Sequence, residues 1–214
     1  MLPKRITDIY KALANLYGAI LTDDAYPIMK TYFPNLVKKD LYNDLKERKY
    51  KDTRGYTIWT TENHNYLITA EYISEEEISR ILSQRNEKKY FLYSNFEDFI
   101  RYKDDSYCEG NESCKTFHDF LLNSLNMNEK EIHKEMRYFL YAIRIQMKEP
   151  QKILSHLADK TQNENQFEKL CSLFFNFYNN LKIPYNLGYA PYEMQMSEEK
   201  KKILDELKKQ GYYL

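Results

Sequence analysis

The side chains able to do chemistry in this chain fall into a basic stretch, a Cys/His cluster and a Glu/His cluster. The basic stretch runs from Lys38 to Arg54. Its positive residues are Lys38, Lys39, Lys46, Arg48, Lys49, Lys51 and Arg54, against the acids Asp40, Asp44, Glu47 and Asp52. Lys and Arg in such a run would contact phosphates, with Asn43 or Arg48 as readers of base edges. The competing reading is a solvated helix end, because the interleaved acids repel phosphate.

Cys108, Cys114 and His118 supply thiolate and imidazole, both good zinc ligands, but at a C-x5-C-x3-H spacing that matches no standard knuckle. A fourth ligand would have to come from afar, such as His133. Thiols in and beside a loop are the simpler reading, and no metal is assigned. Glu131, His133 and Glu135 offer acid/base groups, yet in a helix only Glu131 and Glu135 share a face. They read as an exposed surface. No G-x-S-x-G elbow, G-x-G-x-x-G or G-x-x-x-x-G-K-[ST] occurs, and the 5 glycines argue against phosphate-cradling loops. No catalytic residue and no cofactor is therefore assigned.

Composition sets the terms for partners. The 32 Lys and Arg equal the 32 Asp and Glu, so nucleic-acid binding would need a local patch. The 21 tyrosines can bury an apolar ring and keep the hydroxyl wet or bonded. That describes either a core border or a contact surface, and Tyr185, Tyr189, Tyr192, Tyr212 and Tyr213 are the candidates for protein contact. No apolar run approaches the ~20 residues of a membrane span. Met1 to Arg5 leads into an amphipathic pattern rather than a signal segment, and the 3 cysteines are an odd number. Together these predict a cytoplasmic protein with reduced thiols.

The elements that would position these residues read as follows. Ile6, Ile9, Tyr10, Leu13, Leu16 and Tyr17 have helical spacing, closed by Gly18. Thr22-Asp23-Asp24 reads as a helix start capped by short oxygen side chains, ending near Pro34. A third helix follows Asn35, with Leu36, Val37, Leu41 and Leu45 inward. Two β-prone runs, 55–60 and 66–69, flank a polar turn as a hairpin. Three helices then a hairpin is the order of a winged helix-turn-helix. Ser74 to Glu77 forms a capping box, residues 95–103 a short amphipathic piece, and 104–114 a linker. Helices are predicted near 115–125, 128–147, 149–159, 163–180 and 197–210, with Phe174, Phe177 and Tyr178 as a core stripe. The fold class expected is mainly α with a small β-hairpin (α+β). A winged-helix-like module spans 1–72, a helical connector 73–110 and a helical bundle 111–214.

The segment from Asn179 to Met194 carries the most positional information. A helix ends in Asn179-Asn180, and Asn186, Gly188, Ala190-Pro191 and Glu193-Met194 fit the form N-x-G-x-[TA]-P-x-E-[LM]. Here the chain resembles a group of low-GC Gram-positive bacterial and phage proteins with a winged-helix-like amino-terminal region. Ala12 to Gly18 adds a weaker likeness. Members often end in a zinc-binding tail like that of the SecA carboxy terminus. This chain has neither Cys nor His after Met194, so no zinc carries over. Ala190 also stands where a Thr could have capped the helix. Gly188 suits a left-handed turn, Pro191 a first helical turn and Glu193 the positive end of the helix dipole. The resemblance informs architecture more than activity.

The function expected is a non-enzymatic regulatory or adaptor protein acting through protein contacts, with local DNA or RNA binding by the winged-helix-like module. A homodimer is a further candidate assembly. The alternative is a phage- or mobile-element-encoded inhibitor of a nucleic-acid enzyme, and a lesser one is a nuclease with an unrecognised site.

Overall fold

Helix α1 (Ile6–Tyr17) is buried almost all round. Ile6, Ile9, Tyr10, Leu13, Leu16 and Tyr17 form the expected apolar face and are buried, and Ala12 and Ala14 are also fully covered. One stripe, Thr7, Asp8, Lys11 and Asn15, is polar, and the apolar remainder of the helix is enclosed by the surrounding elements. Gly18 stops the helix at φ +69°, with its N–H on the Ala14 carbonyl at 2.8 Å. The computed structural model describes residues 2–49, 54–61, 63, 65–71, 73–85, 89–109, 112–144, 146 and 148–195.

Strand β1 (Ala19–Leu21), helix α2 (Thr22–Tyr32), helix α3 (Lys38–Arg48) and strands β2 (Thr57–Thr60) and β3 (Tyr66–Thr69) follow. The sheet is antiparallel in the order β1-β3-β2. Ile20 and Ile58 both pair with Ile68, and these three side chains face the α1 core. The fold is therefore mainly helical with a small antiparallel sheet, of three strands rather than the expected two. At three residues, β1 is too short to show an alternation of its own.

Helix α4 (Glu75–Gln84) begins with the expected capping box: Glu77 N donates to Ser74 Oγ at 3.2 Å, and Ser74 N to Glu77 Oε2 at 2.8 Å. Helix α5 (Phe96–Ile100) runs into a 3₁₀ turn at Arg101–Lys103 that packs on α1. Helices α6 (Glu112–Asn123), α7 (Glu129–Arg144), α8 (Pro150–Ala158) and α9 (Glu164–Asn180) enclose a second core. Phe117 sits at its centre, with ring contacts to Phe139, Phe174 and Phe177. The aromatic stripe of α9 is thus core.

The segment after α9 turns back to the amino-terminal half. A 3₁₀ turn at Pro184–Asn186 leads to Leu187 and Gly188, both left-handed at φ 54° and 84°. Leu187 is fully buried among Ala19, Leu67 and Ile81, and its carbonyl accepts from Phe91 N at 2.9 Å. Helix α10 (Pro191–Gln195) starts at the expected proline. Glu193 substitutes for the missing cap, with Oε2 accepting from Ala190 N at 2.8 Å.

Some local expectations are corrected. Thr22 does not cap α2, because its hydroxyl donates to the Tyr66 carbonyl at 2.7 Å and so ties α2 to β3. Val37 points outward and is 49% exposed, since α3 begins after it. Cys108 and Cys114, expected as reduced thiols, are joined in a disulfide where the loop before α6 folds against the helix. The helix expected at 197–210 lies outside the described residues.

Gly18 has the least room. A Cβ there would lie 2.7 Å from both Ile81 Cδ1 and Pro184 Cβ, in a conformation L residues rarely adopt. Gly18→Ala is expected to destabilise the protein by about 2–4 kcal/mol, read as a lower urea midpoint with unchanged slope. An unchanged midpoint would show that the packing around Gly18 is not tight.

Candidate functional site

Helix α3 offers the first candidate surface. Leu41 and Leu45 anchor it in the core. Lys39, Asn43 and Lys46 lie one helical turn apart on the opposite side, all exposed. Glu47 borders that stripe, and Lys49 follows at the helix end.

The rest of the predicted basic run is employed elsewhere. Lys38 Nζ lies 2.6 Å from Asp23 Oδ1. Arg48 donates through Nε to Asp44 at 2.7 Å and through Nη1 to Thr7 at 3.1 Å, with its guanidinium over the Tyr10 ring. The Asp44 carboxylate raises the Arg48 pKa further above its ordinary value. Arg48 is therefore a strut between α3 and α1. Arg54 belongs to a different surface, described below. Lys51 lies outside the described residues.

Asp23 fixes how the β2–β3 hairpin sits beside α3. Its carboxylate takes Lys38 from α3, the Tyr42 hydroxyl at 2.9 Å and Asn65 Nδ2 at 2.8 Å. These bonds, led by that from Lys38, hold the Asp23 pKa below its ordinary value. Burial, then the nearby Asp23, pushes the Tyr42 hydroxyl up to about 12. It therefore stays a protonated donor at neutral pH.

A cleft of about 910 Å³ separates the two halves. One wall is a face of α7 carrying Lys130, Lys134, Arg137, Tyr141 and Arg144, spaced at four, three, four and three residues. Lys11 and Asn15 of α1, with Arg54 and Glu71, stand on the other. Among the described residues, seven Lys or Arg line the cleft against three Asp or Glu, so their charge is positive in a chain that is neutral overall. The sequence reading missed it. The α7 periodicity was the available signal, but the opposite wall comes from residues about 60–130 positions away in the chain.

The cleft is braced where the halves meet. Arg144, 2% exposed, donates through Nη1 to the Tyr107 carbonyl at 2.8 Å and through Nε to the Lys182 carbonyl at 3.4 Å. Its guanidinium lies over the Tyr102 ring, 5.2 Å from the centroid. The hydroxyls of Tyr93 and Tyr102 converge on Glu109 Oε1. Burial first, then Tyr102 and Glu109 for Tyr93 and Glu109 for Tyr102, drives both phenols well above their ordinary values.

The candidate contact tyrosines divide. Tyr185 is exposed, 3.3 Å from Gln84 and beneath Arg80. Tyr189 is half-buried with its ring edge-on to Phe91 at 5.3 Å, and Tyr192 is also half-buried, its pKa raised to about 12 by burial and then Glu193. Tyr212 and Tyr213 lie outside the described residues. His118 stands 3.2 Å from Glu129, while His133 lines the cleft.

No protein-family model matches the chain, and neither a curated protein nor a solved structure shows significant similarity to it.

Asp23 yields a pH prediction. Its folded pKa lies below the unfolded one, so its contribution is present above the unfolded value of about 4 and lost as pH falls through the folded value. The site is about half exposed, which keeps the contribution below roughly 1 kcal/mol. Asp23→Asn is expected to flatten the acid limb of stability against pH, measured by urea unfolding. An acid limb as steep as that of the unaltered chain would place the effect elsewhere.

Proposed function

We propose that this chain is a non-enzymatic regulatory protein whose amino-terminal half is a winged-helix-like module that binds nucleic acid through α3. The observation that carries the reading is the order α1-β1-α2-α3-β2-β3 with strand order β1-β3-β2, in which α3 turns Lys39, Asn43 and Lys46 outward beside the hairpin. That order accords with a winged-helix arrangement, in which α3 would take the position of the recognition helix and the β2–β3 turn that of the wing. Lys39 and Lys46 would meet phosphates and Asn43 a base edge, an adenine being its best bidentate partner.

The neutral net charge accords with a reader that depends on one face rather than on a whole-molecule field. The exposed Tyr185, beside Gln84 and Arg80 of α4, serves in this reading as part of the surface that meets a protein partner. The Asn186–Met194 cassette supports kinship with the low-GC Gram-positive group, as a structural element more than a chemical one.

The test is fluorescence anisotropy with fragments of host DNA across a salt series. Binding is expected to weaken steeply with salt. Lys39→Glu/Lys46→Glu should weaken it about 10-fold or more on all sequences, while Asn43→Ala should erode sequence preference by about 1–3 kcal/mol. No salt-dependent binding, or binding untouched by the double reversal, would overturn the reading.

A further inference from the structure

The interdomain cleft has a composition that neither the helical packing nor the α3 reading uses. Its acids are locally engaged. Glu71 Oε2 accepts from Gly55 N at 2.9 Å, Asp104 Oδ1 accepts from Ser106 N and Oγ at 2.9 and 2.7 Å, and Asp105 lies 3.6 Å from Arg137. Burial works against the Asp104 carboxylate, but those Ser106 bonds, with Arg137 and His133, hold its pKa below the ordinary range. It therefore stays an occupied acceptor. The cations differ. Lys11, Arg54, Lys130 and Lys134 form no ion pair among the described residues.

Arg144 supplies a second, independent observation. It lines the cleft at the buried end of the α7 stripe, and its Nη2 is buried with no hydrogen-bond partner among the described residues. An unmade bond on a buried guanidinium is costly, so it marks a place where an acceptor belongs. Helix stability does not account for the stripe either, since Lys130 sits in the first turn of α7, where the dipole favours acids. Tyr138, Leu140 and Tyr141 add apolar surface beside the cations.

We propose that this cleft is a binding site for a small phosphate-bearing anion, clamped between Lys130, Lys134, Arg137 and Arg144 of α7 and Lys11 and Arg54 of the amino-terminal half. Its volume lies within the ~300–1,000 Å³ of small-molecule sites. Arg offers a planar fork to phosphate oxygens, and Lys a point charge. Tyr141, exposed on the cleft wall, offers a ring on which a base can stack, which makes a nucleotide-sized ligand the best match. The residues of the site are distinct from Lys39, Asn43 and Lys46, so the proposal stands apart from nucleic-acid binding by α3.

Isothermal titration calorimetry on the full chain tests it, with sodium tripolyphosphate and ATP as probes at matched ionic strength. Calorimetry is preferred to a melting shift because phosphate and sulfate salts stabilise folded proteins without a site. The expected result is saturable binding at about one site per chain. Lys130→Glu/Lys134→Glu and, separately, Arg54→Glu should weaken it about 10-fold or more; these side chains are exposed, so the fold should survive. Lys39→Glu/Lys46→Glu should leave it unchanged. Tighter binding of ATP than of tripolyphosphate upholds the site as nucleotide-binding, and equal affinity upholds it as a polyphosphate site that does not use the aromatic wall. The proposal falls if neither probe saturates, or if the cleft reversals have no effect. It also falls if those reversals abolish binding of a single-stranded oligonucleotide while neither small anion binds.

Discussion

The enclosure of α1 is the constraint on which the other contacts depend. Nine of its twelve residues are buried, so elements must cover it on all but the side of Thr7, Asp8 and Lys11. The sheet and the 3₁₀ turn at Arg101–Lys103 pack on it, as does the turn at Pro184–Asn186 from far down the chain. Enclosure leaves polar atoms to satisfy, and their partners set the positions of the neighbours. The Tyr10 hydroxyl donates to Asp44 of α3 at 2.8 Å, Tyr17 to the Phe91 carbonyl at 2.7 Å, and Asn15 Nδ2 to the Tyr102 carbonyl at 2.8 Å. One helix thereby fixes the tilt of α3, the approach of the 91–102 segment and one wall of the cleft.

Charge is handled in two ways. Arg48 and Lys182, which are part of the packing, are paired with carboxylates. Arg48 meets Asp44, and Lys182, only 5% exposed, meets Glu193 at 2.6 and 2.5 Å while standing 3.4 Å over the Phe91 ring centroid. A buried ammonium without such partners would be costly to hold in the fold. Where cations are not needed for packing, they gather on the outer face of α3 and along α7. A neutral chain thus presents local positive fields without a global one.

The two halves meet through groups that cannot be replaced one at a time without loss. Arg144 spans carbonyls from both sides of the seam, and Glu109 takes both tyrosine hydroxyls. Leu187 enters a small core made otherwise of residues from β1, β3 and α4, with Ala70 and Ile73 from between β3 and α4. The carboxy-terminal cassette therefore completes the amino-terminal half as well as closing the bundle.

Much of the local structure was legible in the sequence by itself. The period of Ile6, Ile9, Leu13 and Leu16 gave α1, Ser74 and Glu77 gave the start of α4, and Gly188 with Pro191 gave the turn into α10. Each signal has a cause within a few residues: a repeat of about 3.6, a cap bond three positions on, or a φ that suits glycine. The α3 stripe was half visible, since spacing places Lys39, Asn43 and Lys46 together but cannot show that Lys38 and Arg48 are engaged by Asp23 and Asp44. Strand β1, the Cys108–Cys114 pairing, the diversion of Thr22 and the cleft were decided by tertiary structure. Three of these depend on residues brought together from 40 or more positions apart, as Ala19 is with Thr69 and Thr22 with Tyr66. The disulfide depends instead on how one loop closes on its helix. No local pattern encodes such distances, because they are set by how the chain packs around a helix that must be covered on most of its sides.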